Sequence, residues 1–340
     1  MPHKLRYQRG HLTVRELYEE KKADWGLEIK AGSNGLDRDI TTDELCRPGL
    51  LFAGFENHFA KTRLQVIGMA EWAFLDSLSP DRREDAITRL FKYDTIPAII
   101  LAKRLKPFPL MKELADEKGI PIFISPLKTT QIEHFVSDYL WKKLSWYVNV
   151  HADLVNIHGV GVLIGGKSGV GKSETALDLI RRGHALVADD IVKIIQYPPG
   201  RLLGMSAATE KNRIFKNMLH VKSIGFINVF EIFGIKAVRR ESPIDLYIEL
   251  VRPEDGYPES SKRISNGDDG PCPFSRVFFD HLENGADRGV EIPAYKIVVE
   301  PKKNAATLIE VLVLKHIVKL EGKDPFEEVE SVFERESNGR

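Results

Sequence analysis

Gly159-Val160-Gly161-Val162-Leu163-Ile164-Gly165-Gly166-Lys167-Ser168-Gly169-Val170-Gly171-Lys172-Ser173 decides how this chain is read. Val160 to Ile164 is short and apolar, the pattern of a buried strand. A glycine-rich turn follows. Glu174 to Arg182 then carries Ala176, Leu177, Leu179 and Ile180 at helical spacing. Gly166, Lys167, Ser168, Gly169, Val170, Gly171, Lys172 and Ser173 fit G-x-x-x-x-G-K-[ST], the phosphate-binding loop. Its glycines let successive backbone N–H groups curl around an anion, and the following helix adds the positive end of its dipole. Lys172 can bridge β- and γ-phosphates, and the Ser173 hydroxyl can ligate Mg²⁺.

At 340 residues the chain is long enough for two domains, each with its own core. Lys+Arg and Asp+Glu are equal at 49 each, and that balance argues against a dedicated nucleic-acid binder. Cys46 and Cys272 have no metal-ligand spacing, which suits a reducing cytoplasm. Met1 to Gly10 lacks the apolar centre of a signal peptide, and no apolar run approaches a membrane span.

The fold class expected is α/β, in two domains. Residues 1–145 read as an N-terminal βαβ-type domain. Thr13 and Glu16 form a capping box ahead of a first helix, and Leu27 to Ile29 alternates as a strand. Lys61 to Leu75 holds a strand or a strand-to-helix corner, and Pro80 to Phe91 is a helix. Ile96–Leu101 and Ile120–Ile124 are apolar strands around a helix at Leu110–Lys118, the order of a parallel sheet. Thr130, with Glu133 three residues on, is expected to cap a further helix. Ser145 to Asn149 reads as the linker.

Residues 146–340 read as a second domain. Gly183 is a helix C-cap, and Ala185 to Asp190 is a strand ending in two carboxylates that continues through Ile191 to Gln196. Further expectations are a helix at Ala207–Leu219, strands at Ile244–Val251 and Tyr295–Glu300, and helices at Ala305–Leu320 and Pro325–Glu334. Pro253 to Gly289 reads as a polar loop.

A strand carries its terminal acids to the sheet edge where a phosphate loop sits. One of Asp189 and Asp190 can hold Mg²⁺, and the other can take a proton from an attacking hydroxyl. On a regular strand the two would leave on opposite sides. The plainer alternative is that they cap the strand end.

The chain resembles the HPr kinase/phosphorylase family. The residues that carry the likeness are Cys46-Arg47-Pro48-Gly49-Leu50, Thr129-Thr130 and the run from Val150-His151 through the loop to Arg182-Gly183-His184-Ala185-Leu186-Val187-Ala188-Asp189-Asp190. The resemblance implies a kinase domain of the phosphoenolpyruvate-carboxykinase-like fold. It implies a homohexamer that phosphorylates a serine of the phosphocarrier HPr with ATP or pyrophosphate, and removes that phosphate by phosphorolysis. By the same resemblance Gly166 to Ser173 holds the nucleotide, Ser173 binds Mg²⁺ and Asp190 is the base. His151 matches an active-site histidine and Arg239 a catalytic arginine. No nucleic-acid or membrane partner is implied.

Two places depart from the family pattern. Its L-E-I-R-G-L-G signature is here Leu219-His220-Val221-Lys222-Ser223-Ile224-Gly225, so an imidazole stands where the family has a metal-binding Glu. Its Gly-Arg-Asn near the C-terminus is Lys302-Lys303-Asn304. The departures keep two other readings in view: a kinase of the same fold with another protein or metabolite as substrate, and a nucleotide sensor with weakened transfer.

Overall fold

The computed structural model describes residues 8–197, 200–207, 217–255, 276–277, 290–300 and 304–322. Pro198-Pro199, Lys302-Lys303, most of the helix expected at Ala207–Leu219, most of the polar loop and the helix expected at Pro325–Glu334 lie outside the described residues. The chain divides into an N-terminal unit, Arg9–Ser145, and a C-terminal unit made of Met1–Gln8 and Trp146–Arg340. A short strand, β1 (Gln8–Arg9), edges a sheet of the C-terminal unit.

The N-terminal unit alternates strands and helices. Its elements are α1 (Val14–Lys21), β2 (Glu28–Ala31), β3 (Leu45–Cys46), α2 (Gly49–Phe52), β4 (Leu64–Ile67) and α3 (Met69–Ser77). Then come α4 (Pro80–Phe91), β5 (Ile99–Leu101), α5 (Pro109–Lys118), β6 (Ile122–Ile124) and α6 (Thr129–Leu144). The sheet order is β2-β6-β5-β4-β3, parallel from β3 to β6, with β2 antiparallel on β6. Parallel strands have helices on both faces and so read as unbroken apolar runs. Here Leu64, Val66, Ile100 and Phe123 pack with Leu17 of α1 and Val136 and Leu140 of α6. Their neighbours Ile67, Ile99, Leu101 and Ile122 pack with Ile87, Leu90 and Met111 of α4 and α5.

Thr13 caps α1 with the capping box to Glu16. Thr130 does not cap α6: the helix begins at Thr129, and the Lys128 N–H donates to the Gln131 side chain at 3.0 Å. The capping-box acceptor is therefore the Gln131 side chain, on the Lys128 N–H, in place of the expected Glu133 on the Thr130 N–H.

The C-terminal unit opens with β7 (Trp146–His151), β8 (Asp153–Ile157), β9 (Val160–Gly166), α7 (Lys172–Arg181), β10 (Ala185–Ala188), β11 (Ile191–Tyr197) and β12 (Arg201–Ser206). It continues with β13 (Met218–Val221), β14 (Gly225–Asn228), α8 (Val229–Phe233), β15 (Glu241–Pro243) and β16 (Leu246–Val251). The last elements are β17 (Arg276–Val277), β18 (Val290–Glu291), β19 (Ala294–Val298) and α9 (Ala305–Leu320).

The expected linker at 145–149 is largely strand, because Val148 and Val150 alternate inward on β7. Met218 and Leu219 begin a hairpin strand rather than end a helix. The expected single strand from Ala185 to Gln196 is two strands, β10 and β11, in different sheets.

One sheet, β10-β8-β9-β16-β19, is mixed, and the other, β1-β7-β11-β12-β15, is antiparallel among its paired strands β7, β11, β12 and β15. Ala176, Leu179 and Ile180 of α7 and Ile309, Leu312 and Val313 of α9 cover one face of the mixed sheet. Leu154, Leu163 and Tyr247 on its other face meet Val148, Val150, Val192 and Ile194 of the antiparallel sheet. The unit is thus three layers, helices on sheet on sheet. β9, β16 and β19 are parallel, β8 runs against β9, and β10 runs against β8. The C-terminal ends of β9, β10, β16 and β19 therefore share one edge. Among the described residues, no helix is long and apolar enough to cross a membrane.

Candidate functional site

The loop after β9 sits on that shared edge. Gly166 pairs with Leu250 and has φ +139°, and a Cβ there would stand 2.5 Å from the Leu250 carbonyl oxygen. Only glycine fits such an approach in such a conformation. Gly171, at φ +105°, turns the chain into α7. Val170 is buried in the core beneath α7 and anchors the turn, while Lys167, Ser168 and Gly169 are exposed. The Lys172 ammonium folds back to donate to the Gly166 carbonyl at 3.3 Å. Arg252, just past β16, donates to the Gly169 carbonyl at 2.6 Å and pins the loop from the neighbouring strand.

The second part of the site is the corner between β10 and β11. The pairing of β10 with β8 shifts register between Leu186 and Ala188, a bulge that re-aims the chain just before Asp189. Asp190 then takes φ +62°, a left-handed conformation rare outside glycine. The expected regular strand ends here, and the two carboxylates separate by turning. Asp189 is directed inward: its Oδ1 accepts from the Ser173 hydroxyl at 3.3 Å and its Oδ2 from the His220 backbone N–H at 2.7 Å. Burial pushes the Asp189 carboxyl above its usual range, against the pull of those hydrogen bonds. The Asp190 side chain is 75% exposed, and its Oδ1 lies 3.8 Å from Nδ1 of His151. His151 reaches it because β7 pairs with β11 in the register His151 to Ile191.

A third carboxyl completes the corner. Asp153 begins β8 opposite Ile164 and is fully buried. Its Oδ1 accepts from the Asp190 N–H at 3.0 Å, while its Oδ2 has no hydrogen-bond partner. Burial, with the Asp189 carboxylate alongside, pushes Asp153 up to about 8, so at neutral pH it keeps its proton.

Arg239 is exposed. Val238 bridges Leu186 in parallel and the Arg239 N–H donates to the Leu186 carbonyl, which runs this segment beside β10. The His220 ring stacks on Phe226 at 4.4 Å, so its backbone, not its imidazole, is what touches Asp189. Lys303 lies outside the described residues. The structure thus brings Lys172, Ser173, Asp189, Asp190 and His151 to one edge. Sequence reading missed Asp153 and Arg252. The signal for Asp153 was a lone acid at the start of a strand that is otherwise uncharged; Arg252 shows only once β16 is known to lie beside β9.

Two family models match the chain: the HPr Serine kinase N terminus over residues 12–140 and the HPr Serine kinase C-terminal domain over residues 142–271. The HPr kinase/phosphorylase of Shouchella clausii is 37% identical over 308 residues, covering 91% of this chain and 91% of that protein. That of Chloroherpeton thalassium is 33% identical over 320 residues, covering 93% of this chain and 87% of its own. Among solved structures, the Hpr(Ser) kinase/phosphatase from Coxiella burnetii aligns at 29% identity and a TM-score of 0.40, over 51% of this chain and 98% of that one. Matched in both halves, and similar to the Shouchella clausii and Chloroherpeton thalassium proteins across nine tenths of its length, this chain belongs to the HPr serine kinase family.

Proposed function

We propose that the chain transfers the γ-phosphoryl group of ATP to a seryl hydroxyl of the phosphocarrier HPr, and removes it again by phosphorolysis. The observation that carries this reading is the edge where a glycine-rich loop, the Ser173 hydroxyl and the Asp189–Asp190 corner converge. The loop N–H groups from Gly166 to Ser173 hold the phosphates, and Lys172 neutralises them once it releases the Gly166 carbonyl.

Asp190 takes the proton of the attacking serine. The serine oxygen bonds to the γ-phosphorus, the bridging P–O bond breaks, and ADP leaves. In reverse, an oxygen of inorganic phosphate attacks the seryl phosphate, pyrophosphate forms, and Asp190 returns the proton to the serine. His151 orients Asp190 across their 3.8 Å separation, and Arg239, exposed on the segment that runs beside β10, supplies positive charge.

The donors fit Mg²⁺. Ser173 and Asp189 offer hard oxygens 3.3 Å apart. Mg²⁺ bound by so few protein oxygens is completed by phosphate oxygens and water. Ser173 would hold it, and when bound it neutralises charge on the transferring phosphoryl group. On the family likeness we place the enzyme in the cytoplasm as a homo-oligomer, a hexamer.

The test runs one protein both ways. With ATP, Mg²⁺ and HPr the expected product is seryl-phosphorylated HPr. With that product and inorganic phosphate it is pyrophosphate. Absence of seryl phosphate on HPr, where a control enzyme makes it, sinks the reading.

A further inference from the structure

Asp153 is a carboxyl group that the proposed transfer leaves without a role. Nothing about β8 asks for it. The strand is buried along its whole length and Asp153 pairs with Ile164, a site where a leucine would pack. Burying a polar group without full hydrogen bonding is costly, and the Oδ2 atom of Asp153 has no partner. Its other oxygen makes one bond, to the N–H of Asp190 at 3.0 Å. On the far side of the same residue the Ala152 N–H donates to the Asp190 carbonyl at 3.1 Å. The left-handed turn at φ +62° is therefore clamped at both its backbone groups by the β7–β8 junction.

We propose that Asp153 is a positioning residue: through Oδ1 it holds Asp190 in the left-handed turn that aims its carboxylate at the reacting hydroxyl. This rests on the proposed transfer. A base works only within hydrogen-bond reach of its proton, and a misplacement of about 1 Å costs on the order of 10²-fold in rate. Without Asp153, Asp190 keeps its side chain but loses the bond that offsets the cost of its backbone conformation.

The test compares Asp153→Asn with Asp153→Leu. Asparagine retains an oxygen for the Asp190 N–H, so turnover with HPr is expected to stay within about threefold of wild type. Leucine offers none. Its kcat is expected to fall about 10²-fold, while KM for ATP, set by the loop, is unchanged. Should Asp153→Leu not fold, Asp153→Thr takes its place: it suits a strand, and its hydroxyl is too short to reach.

A second readout needs no turnover. Exchange of the Asp190 amide hydrogen, followed by NMR in the same proteins, is expected to stay slow with asparagine and to accelerate at least about tenfold with leucine or threonine. If wild type fails to phosphorylate HPr, the functional reading falls and the exchange rates still decide the role of Asp153. Full turnover and slow exchange in the leucine or threonine variant overturn the proposal. So does an asparagine variant as inactive as leucine, because the carboxyl would then be acting as an acid or base itself.

Discussion

Replacing Asp190 by asparagine separates chemistry from folding more cleanly than any other change in the corner. The Asp190 side chain is 75% exposed, and its described ionic partner, His151, is 82% exposed at 3.8 Å. A pair so solvated is worth at most about 1 kcal/mol. Asparagine also accepts the left-handed backbone at φ +62° and keeps the N–H that Asp153 holds. Unfolding free energy is therefore expected to change by no more than about 0.5 kcal/mol. The proposed base is lost outright, and general-base action is worth about 10² to 10⁴ in rate, or roughly 3 to 5 kcal/mol of barrier. Steady-state transfer to HPr, nucleotide titration by calorimetry and a urea melt, all on one preparation, make the assay. The expected result is a fall in kcat of at least about 10²-fold with nucleotide affinity and stability intact. Turnover within about fivefold of wild type removes Asp190 from the role of base, and a matching loss of nucleotide affinity makes it a binding residue.

The remaining predictions follow from burial and backbone. In metal-free buffer the C-terminal unit is expected to lose stability as pH rises. Folded Asp153 holds its proton up to about 8 whereas the unfolded carboxyl gives it up near 3.8, so the contribution is full below the lower value and lost through the upper one. The slope from Asp153 is up to about 1.4 kcal/mol per pH unit, and urea melts from mildly acid to mildly alkaline pH should show a steeper fall in wild type than in Asp153→Asn, where the raised Asp189 carboxyl alone remains. Gly171→Ala meets nothing within 4 Å and bears only the strain of φ +105°, about 1–2 kcal/mol. Gly166→Ala adds a Cβ 2.5 Å from the Leu250 carbonyl oxygen and should cost more; melts ranking them the other way refute the geometry. In the N-terminal unit, Arg47 donates to both oxygens of the buried Glu71, at 3.0 and 2.9 Å. Arg47→Met should destabilise that unit by about 2–4 kcal/mol at neutral pH. Burial opposes ionisation of Glu71, but Arg47 and the Gly68 N–H outweigh it and hold the carboxyl below its usual range. That stabilisation exists above the ordinary carboxylate value and is lost as pH falls, so the penalty measured by melts should shrink in acid.

Local patterns carried much of this fold. The strand at Val160, the turn and the helix after it are contiguous and follow two periodicities, so reading one stretch places all three. The same holds for the parallel strands of the N-terminal unit, whose buried runs differ from the amphipathic helices between them. What failed was of two kinds. Register within a few residues moved the cap of α6 from Thr130 to Lys128, because Gln131 stands two residues before Glu133 and its side chain takes the N-cap N–H instead. Long-range pairing was invisible altogether. The residues at Ala185–Gln196 look like one continuous strand, and only the clamp from Asp153 and Ala152, more than thirty positions earlier, shows why the chain turns at Asp190. Arg252 likewise gains its role from a strand neighbour rather than from its own neighbours in sequence.

The N-terminal unit interrupts the C-terminal one: Gln8 lies on one side of it and Trp146 on the other, yet β1 and β7 are adjacent strands. During synthesis the strand made first must wait for its place until the whole intervening unit has left the ribosome. A fragment that starts at Trp146 would leave the outer backbone groups of β7 open as a sheet edge, a surface on which foreign strands add. Truncation at the apparent domain boundary should therefore yield a protein that self-associates, and co-expression of a peptide carrying the Gln8 segment is the natural remedy. The two units can be told apart in space, but the gene cannot be cut between them without leaving a strand behind.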